Sequence, residues 1–591
     1  MARSSLTFAA HAAITLASSF LVATVHAQSF DAGVPNTTLD GAASYAIAAD
    51  AGVPSSASDA AAPADGGVDL GAPSPESDAV VTPDDAPMLP VADALQPRVV
   101  TAVDADAAAA QDATANEEAA GEETAETASF YFKLGGEYQF RLNVMGDVPL
   151  RPLPGAGSAL GQNVWAEQWL RLRADLQIVP GLHVIGQADA LNGVALGDLA
   201  QGVEPEARQR DEYAYPGLRF RYLYLEWQSK FGLLRVGQMG FSWGLGMVAN
   251  DGDTPPVFGD YRYGDLVRRV LFAVRPAGND VPFVVAAAGD WVASDLLADF
   301  HRRDELAFQG VLAAYYGDDL DRVGAYGAYR WQENALDDTL SAAFVDVFAR
   351  WGKTLGGARY YAAAEGAFAI GSTTYARTAE LPEQDVTQLL GIVQLGRTQR
   401  VLDVVLEAGY ASGDSNGEDA IQRRGTIDPD HRVGLILFPE VISAFTARSA
   451  ALAQDPGLSG RPARGSELLP SNGGVSGAAY AFPYGIWRPL DWLDVRLGAV
   501  VATATADFVD PYAQRALSRS QNFLGGPASS RFLGLELDGA VLAHHPIADD
   551  LVLSGGLEGG VLFPGGAFEN ASGDILGPIG LVRFRVGIRY R

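Results

Sequence analysis

Ten charged side chains in this sequence stand at spacings that could act on a solute. Lys133 and Arg141, Arg171 and Arg173, and Arg583, Arg585 and Arg589 each alternate with apolar residues, while Glu536, Asp538 and Glu558 take the equivalent places in two further runs. A guanidinium is a rigid fork of donors that matches a carboxylate or phosphate in bidentate fashion, so seven cations on one surface would concentrate anions beside it. The same spacing suits a second role: arginines and acids on neighbouring strands can pair and brace a wall, with Glu137 and Asp175 as the internal partners. Asp414, Asn416 and Asp419 space oxygen ligands about Gly417 as a Ca2+ loop would. The full twelve-residue calcium pattern is missing, and an ordinary acidic loop uses the same residues. No P-loop, dinucleotide fingerprint or His-rich motif occurs, and His183, His301 and His431 have no Ser or acid at a recognisable catalytic spacing. The expectation is a protein that is not an enzyme and holds no other cofactor.

Such charges act together only if the elements carrying them adjoin. From Phe130 the even positions read Phe130, Phe132, Leu134, Gly136, Tyr138, Phe140, Leu142 and Val144, against odd positions rich in polar residues. The chain closes in the same way, with Val582, Phe584, Val586, Ile588 and Tyr590 alternating with Arg583, Arg585, Gly587, Arg589 and Arg591. The period of two recurs from Ala166 to Ile178 and at Leu533, Leu535 and Leu537. Alternation over such lengths describes strands longer than most soluble ones, with residues i and i+2 on one face. If the apolar sets face lipid, the charges face a lumen. Closing the sheet then makes the first, second and last strands neighbours and gathers the seven cations on one wall, with Glu536, Asp538 and Glu558 on an acidic wall alongside.

The connections support closure. Short turns fall near 180–181, 229–232, 276–281, 317–321, 352–356, 397–400, 488–491 and 544–550, and longer segments near 146–163, 192–217, 242–266, 292–305, 332–340, 371–386, 412–474, 504–530 and 563–578. Short and long alternate throughout. Eighteen strands result, or sixteen if weak ones such as 475–487 are misread, and an even number brings both ends to the side of the short turns. This is the pattern of an all-β, antiparallel transmembrane β-barrel of an outer membrane. All nine Trp follow Ser129, and Trp227, Trp331, Trp351 and Trp492 lie near strand ends, as an interfacial girdle requires. Within the longest loop, Pro439 and Glu440 open a stretch of helical spacing to Leu452 that would fold inward to constrict the pore or cap the barrel outside.

Ahead of residue 129 the sequence changes character. Arg3, the apolar run from Ala12 to Val25 and the Val25-His26-Ala27 site read as a signal peptide over 1–27. Residues 28–128 hold 19 acids against one basic residue, Arg98, and almost no aromatic side chain. A segment of that composition buries too little apolar surface to fold, so a disordered acidic tether in the periplasm is expected before the barrel of 129–591. A basic partner or divalent cations are the alternative role for so acidic a segment. A chain at net −30 is no partner for nucleic acid. With no Cys it has no disulfide, thiolate metal site or lipoprotein anchor.

Four segments, FRYLYLEWQSKFGLLRVGQMGFSWG (220–244), EAGYASGD (407–414), RFLGLELDGAV (531–541) and GGLEGGVLFPGG (555–566), resemble hairpins of the alginate export porin family of Gram-negative outer membranes. The resemblance implies an 18-stranded, monomeric pore for an acidic polysaccharide or another anionic solute. The acidic N-terminal segment is foreign to that pattern. The last aromatic, Tyr590, lies one place in from the C-terminus, where the barrel assembly machinery would read it. The expected function is a porin or export channel passing polar, anionic solutes by diffusion. The alternative is a plugged surface barrel whose long loops bind a ligand or partner.

Overall fold

The computed structural model describes residues 130–591 apart from 154, 204–217, 260, 262, 302–304, 319–320, 376–379, 454–464, 466–467 and 591. The expected signal peptide (1–27) and acidic tether (28–128) lie outside the described residues. The chain runs through β1 (Tyr131–Met145), β2 (Val164–Val179), β3 (Leu182–Gly197), β4 (Leu218–Ser229), β5 (Gly232–Gly240), β6 (Leu266–Val274), β7 (Phe283–Ser294), β8 (Leu306–Gly317) and β9 (Arg322–Glu333). It continues through β10 (Thr339–Leu355), β11 (Ala358–Thr373), β12 (Gln384–Thr398), β13 (Leu402–Ala411), β14 (Ala478–Leu490), β15 (Leu493–Ala504), β16 (Phe532–Ala548), β17 (Leu551–Pro564) and β18 (Ile579–Tyr590). Each strand pairs antiparallel with the next, and β1 pairs with both β2 and β18. The result is a closed barrel of 18 strands. Closure leaves no edge with unpaired backbone groups, the condition for crossing a hydrocarbon layer with strands.

The alternation read from the sequence sets the two faces. On β18 Val582 is 56% exposed and its neighbour Arg583 1%. Apolar residues look outward on every strand, and the polar sets look into the barrel. Outside, Trp227, Trp351, Trp487 and Trp492 stand exposed toward the short turns, whereas Trp165, Trp169 and Trp243 are buried within. The turn between β10 and β11 is two glycines, Gly356 and Gly357, at φ +59° and +76°. Both angles belong to the tight hairpin turn that matches strand twist, which side chains with a Cβ disfavour.

The hydrophobic core sits inside the barrel. Met247 and Phe258 from the β5–β6 connection pack with Ile427, Val433 and Leu435 to Phe438 from the β13–β14 connection, against the inward residues Ile392, Phe482, Val500, Ala502 and Ala540. Residues 427–453 of the long connection therefore fold inward, the first of the two arrangements that the sequence allowed. Its helical stretch is a π-turn over Leu437–Ile442 that runs into α1 (Ser443–Ala453), both almost wholly buried. A second helix, α2 (Pro511–Leu517), lies between β15 and β16, with the Asp510 side chain accepting from the Tyr512 N–H at its start.

Candidate functional site

Closure brings the seven predicted cations onto one wall. Arg585 stands opposite Arg141, Arg583 opposite Asn143 and Arg589 opposite Glu137 across the β1–β18 seam. On the other side of β1, Glu137 faces Arg171, Gly135 faces Arg173 and Lys133 faces Asp175. The wall is striped with acids and not uniformly positive. Arg583, 1% exposed, donates from Nη1 to Glu558 at 3.0 Å and from Nε to Asn143 at 2.5 Å. Arg171 donates from Nε to Asp189 at 2.8 Å and from Nη1 to Asp253 at 2.6 Å. Arg141, also 1% exposed, donates to Gln139 at 2.6 Å. Those three arginines brace the wall. Arg589 lies 2.8 Å from Glu137 with its side chain 40% exposed, and Arg585 lies 3.5 Å from Glu558. Lys133 and Arg173 are exposed, so the accessible part of the wall is its turn-side half.

The acidic wall does not stand apart from the basic one. Glu558 is the partner of Arg583 and Arg585 and also accepts from the Gly259 N–H at 3.4 Å. Glu536 has no exposure. Its Oε1 accepts from the backbone N–H groups of Leu435 at 2.5 Å and Ile436 at 2.8 Å, and its Oε2 from Leu437 at 2.7 Å. One carboxylate thus satisfies three consecutive donors of the inward loop, which would otherwise be orphans in an apolar setting. Asp538 is buried on the same face, two residues on.

Residues 241–265 cross the lumen. At one end Trp243 Nε1 donates to Asp346 on β10 at 3.0 Å, and the Leu245 N–H donates to Glu365 on β11. In the middle Phe258 packs on Phe482, with ring centres 6.3 Å apart, and the Val257 carbonyl accepts from Arg496 at 2.8 Å. At the other end Tyr261 donates to Glu137 at 2.6 Å, and Asp253 takes both Arg171 and Arg221. Two strand glycines make room for the aromatic anchors. A Cβ at Gly324 would meet the Trp243 ring at 2.9 Å, and one at Gly498 would meet Phe258 at 2.8 Å.

The two inward loops also hold each other. His431 Nδ1 faces the Leu245 carbonyl at 3.0 Å and Nε2 faces Glu407 on β13 at 3.1 Å, while Tyr480 donates to Glu407 at 2.7 Å. With acceptors on both ring nitrogens, the imidazolium is favoured. Burial opposes that charge but Glu407 outweighs it, and the pKa of His431 rises. The Asp428 N–H donates to the Met247 carbonyl at 2.8 Å, and the Gly264 N–H to Asp430 at 2.6 Å. Burial, then the charge of Asp265 and Asp430, pushes the Asp428 carboxyl well up. Burial and Asp295 do the same to Asp265. Asp251 is raised to about 7 by burial and the neighbouring Asp253. Asp253 goes the other way: burial opposes its charge, but Arg221 and Arg171 overcome that and hold it well below the usual carboxylate range.

The loop of Asp414, Asn416 and Asp419 does not form a calcium cage. Asp414 accepts from the backbone N–H groups of Asn416 and Arg423, at 2.9 Å each. Asn416 accepts from the Glu418 N–H and from Gln514, and Asp419 from the Ile421 N–H and Arg423 Nη1. These oxygens close Asx turns and an ion pair, the commoner use of such residues in loops. Among the described residues no group of three or more His, Asp or Glu is arranged to hold a metal ion.

Arg221, Asp189 and Asp253 were not legible as site residues. A bulge opposite Gln187 and Ala188 turns Arg221 inward out of the alternation, and Asp253 lies in a loop. Arg322 and Arg350 were also missed, although each sits at the inward parity of its strand. They are direct cross-strand partners. Arg350 lies over Tyr361 at 4.6 Å and Arg322 over Phe348 at 5.5 Å.

No protein-family model matches the chain, and no curated protein is found similar to it. Among solved structures it is similar to Acinetobacter baumannii OccAB1, at 12% identity and a TM-score of 0.43 over 77% of this chain and 96% of that one. It is similar also to Pseudomonas aeruginosa OccK9 (OpdG), at 12% and 0.44 over 78% and 98%, and to Acinetobacter baumannii OccAB2, at 10% and 0.44 over 78% and 98%. Similarity at this level leaves the function to be read from the site.

Proposed function

We propose that the protein is an outer-membrane channel of a Gram-negative bacterium through which polar solutes diffuse, with a preference for anions, acidic oligosaccharides among them. An outward face built chiefly of exposed apolar side chains around the closed barrel supports the membrane position. The charge of the accessible lumen carries the preference. Where the wall keeps contact with water it presents Lys133 and Arg173; Arg589 is paired with Glu137 and Asp175 with His183, while Arg585 shares the single carboxylate of Glu558 with Arg583, which leaves the wall positive there. Outer-membrane lipid, the barrel assembly machinery and the solute are the partners of this reading, and the monomer closes its own barrel.

Replacing Lys133, Arg173 and Arg585 by Gln tests it without touching the bracing arginines. In a salt gradient the reversal potential should move toward cation preference, the more so below about 0.1 M, where the Debye length exceeds roughly 10 Å. An unchanged reversal potential at low salt, with the barrel still heat-modifiable, refutes anion selection by this wall.

The apolar core within the lumen favours a second reading, a barrel closed at rest by residues 433–438, which are 0–1% exposed where the surface is measured for Val433 and Leu435 to Phe438. Conductance of the refolded chain, with and without the 412–477 loop, separates the two: a channel conducts with the loop in place, and a closed surface barrel conducts only without it.

A further inference from the structure

The outward face near the long loops carries a row of side chains that the channel reading leaves unused. Arg268 on β6 is the register partner of Trp291 on β7, Trp291 of Phe308 on β8, and Phe308 of Trp331 on β9. All four lie at the loop-side ends of their strands. Val270 and Phe272, two and four residues on from Arg268, are 55% and 46% exposed, which fixes the arginine on the lipid-facing side. Its guanidinium carbon lies 4.3 Å from the Trp291 ring centre and 5.8 Å from that of Phe300. Arg268 Nη2 is 3.1 Å from His301 Nε2. Farther along the row Phe308 and Trp331 stack at 6.3 Å with an interplanar angle of 20°.

A cation on the outer face of a membrane barrel is costly unless it reaches the headgroup layer and meets a counter-charge there. The two rings hold the guanidinium by its face and His301 takes one edge donor, which leaves the rest of the fork as the means of meeting an anion. Aromatic side chains in a row are the usual occupants of the same headgroup level. We propose that this row is a binding site for the phosphate of an anionic glycolipid in the leaflet on the long-loop side. Arg268 is the phosphate ligand, His301 orients its guanidinium, and Trp291, Phe308 and Trp331 bear on the sugar and upper acyl region. The inference rests on the outer-membrane reading above, in which the long-loop leaflet is the one built of phosphorylated glycolipid.

The test uses the full chain reconstituted in phosphatidylcholine nanodiscs doped with bis-phosphorylated lipid A, its dephosphorylated form, or phosphatidylglycerol, with retained lipid counted by native mass spectrometry. Phosphorylated lipid A should be retained in preference to both others. Arg268→Gln should weaken its retention about tenfold, the scale of one charge-assisted contact. Arg268→Lys should keep retention within about threefold of the parent, and Lys353→Gln, on the turn side, should leave it unchanged. Equal retention of the phosphorylated and dephosphorylated forms, or parental retention by Arg268→Gln, overturns the site. Equal retention of phosphatidylglycerol overturns the choice of glycolipid. A chain that fails to insert even in phosphatidylcholine instead overturns the membrane reading on which the site rests.

Discussion

Glu536→Gln should loosen the inward loop from the barrel wall. In the native arrangement one carboxylate accepts three backbone N–H groups, from Leu435, Ile436 and Leu437, at 2.5, 2.8 and 2.7 Å. Glutamine keeps a single oxygen acceptor. Its amide nitrogen must then face at least one of those N–H groups, donor against donor. Charge-assisted bonds are worth about 1.5–3 kcal/mol each and neutral ones about 1, so replacing three of the former by at most two of the latter costs at least about 2 kcal/mol of docking energy. About 2 kcal/mol is roughly a thirtyfold rise in the undocked population. Two measurements read it: the frequency of a larger conductance level in single-channel records, and the hydrogen-exchange rate of the Leu435 to Leu437 amides. The wild-type barrel strands should exchange as before. If exchange at those three amides and the conductance levels are both unchanged, Glu536 does not hold the loop and the reasoning fails.

Acidity should tighten the same loops. Asp265 and Asp428 are raised well above 3.8, and Asp251 to about 7, so the docked loops bind protons that the undocked loops release. Their contribution is present below about 4 and is lost as pH rises through the raised values, about 7 for Asp251. His431, raised above 6.5 by Glu407, contributes fully below that value and loses its contribution as pH rises through the raised one. Asp253 has the opposite sign, but its stabilisation is lost only below 3.8, outside this window. Protection of the amides in 427–437, with exchange corrected for its base-catalysed intrinsic rate, should therefore be lower at pH 8 than at pH 5, and higher protection at pH 8 contradicts the assignment. Arg171→Ala leaves Asp189 and Asp253 without their shared guanidinium and should cost about 3–5 kcal/mol by denaturant titration, as removal of one buried partner does. A loss under 1 kcal/mol would mean that Arg221 alone suffices. Because the chain lacks cysteine, sidedness can be read from single substitutions. On intact cells an impermeant maleimide should label Ser415→Cys in the long loop and not Asp550→Cys in a short turn, and the reverse would invert the topology.

The barrel was legible because a strand's period of two leaves its imprint residue by residue, and β1, β2 and β18 carry that imprint without interruption. The loops were legible as lengths, from the Gly, Pro and Asp clusters that end each strand. Adjacency of the seven cations followed from closure alone. Their pairing followed in part, since Glu137, expected as a partner, meets Arg589 and Glu558 meets Arg583 and Arg585 from a neighbouring strand, but the partners that arrive from loops did not. Asp253 and Tyr261 lie in a connection without periodicity, and nothing in its sequence says which wall it will reach. Gly324 and Gly498 carried a faint signal, since a glycine inside a strand marks close approach of another group. The helical spacing at 439–452 was visible, but whether it turned in or out was decided by Glu536 and the apolar wall of β12 to β16, distant in sequence.

The interior divides its work between two arcs of wall, and the division bears on how the lumen can be polar and yet contain an apolar core. From β12 to β16 the inward residues include Ile392, Phe482, Val500, Ala502 and Ala540, and the 427–445 segment buries its own apolar side chains there. That burial stabilises the docked loop at roughly 25 cal/mol per Å2, and Glu536 adds its three charge-assisted bonds. From β18 through β4 the inward residues are Arg583, Arg585, Arg589, Glu137, Arg171 and Arg221, which no apolar loop could cover without leaving charges unpaired. The crossing segment therefore meets that arc with Asp253 and Tyr261, polar groups that match it, and stops short of Arg173 and Lys133. Glu558 sits where the arcs join, bonded to Arg583 on one side and to the Gly259 N–H of the crossing segment on the other. On the proposed reading selectivity and closure rest on different residues, the exposed cations of the turn-side wall and residues 433–438, so a change that frees the loop leaves the charge preference in place.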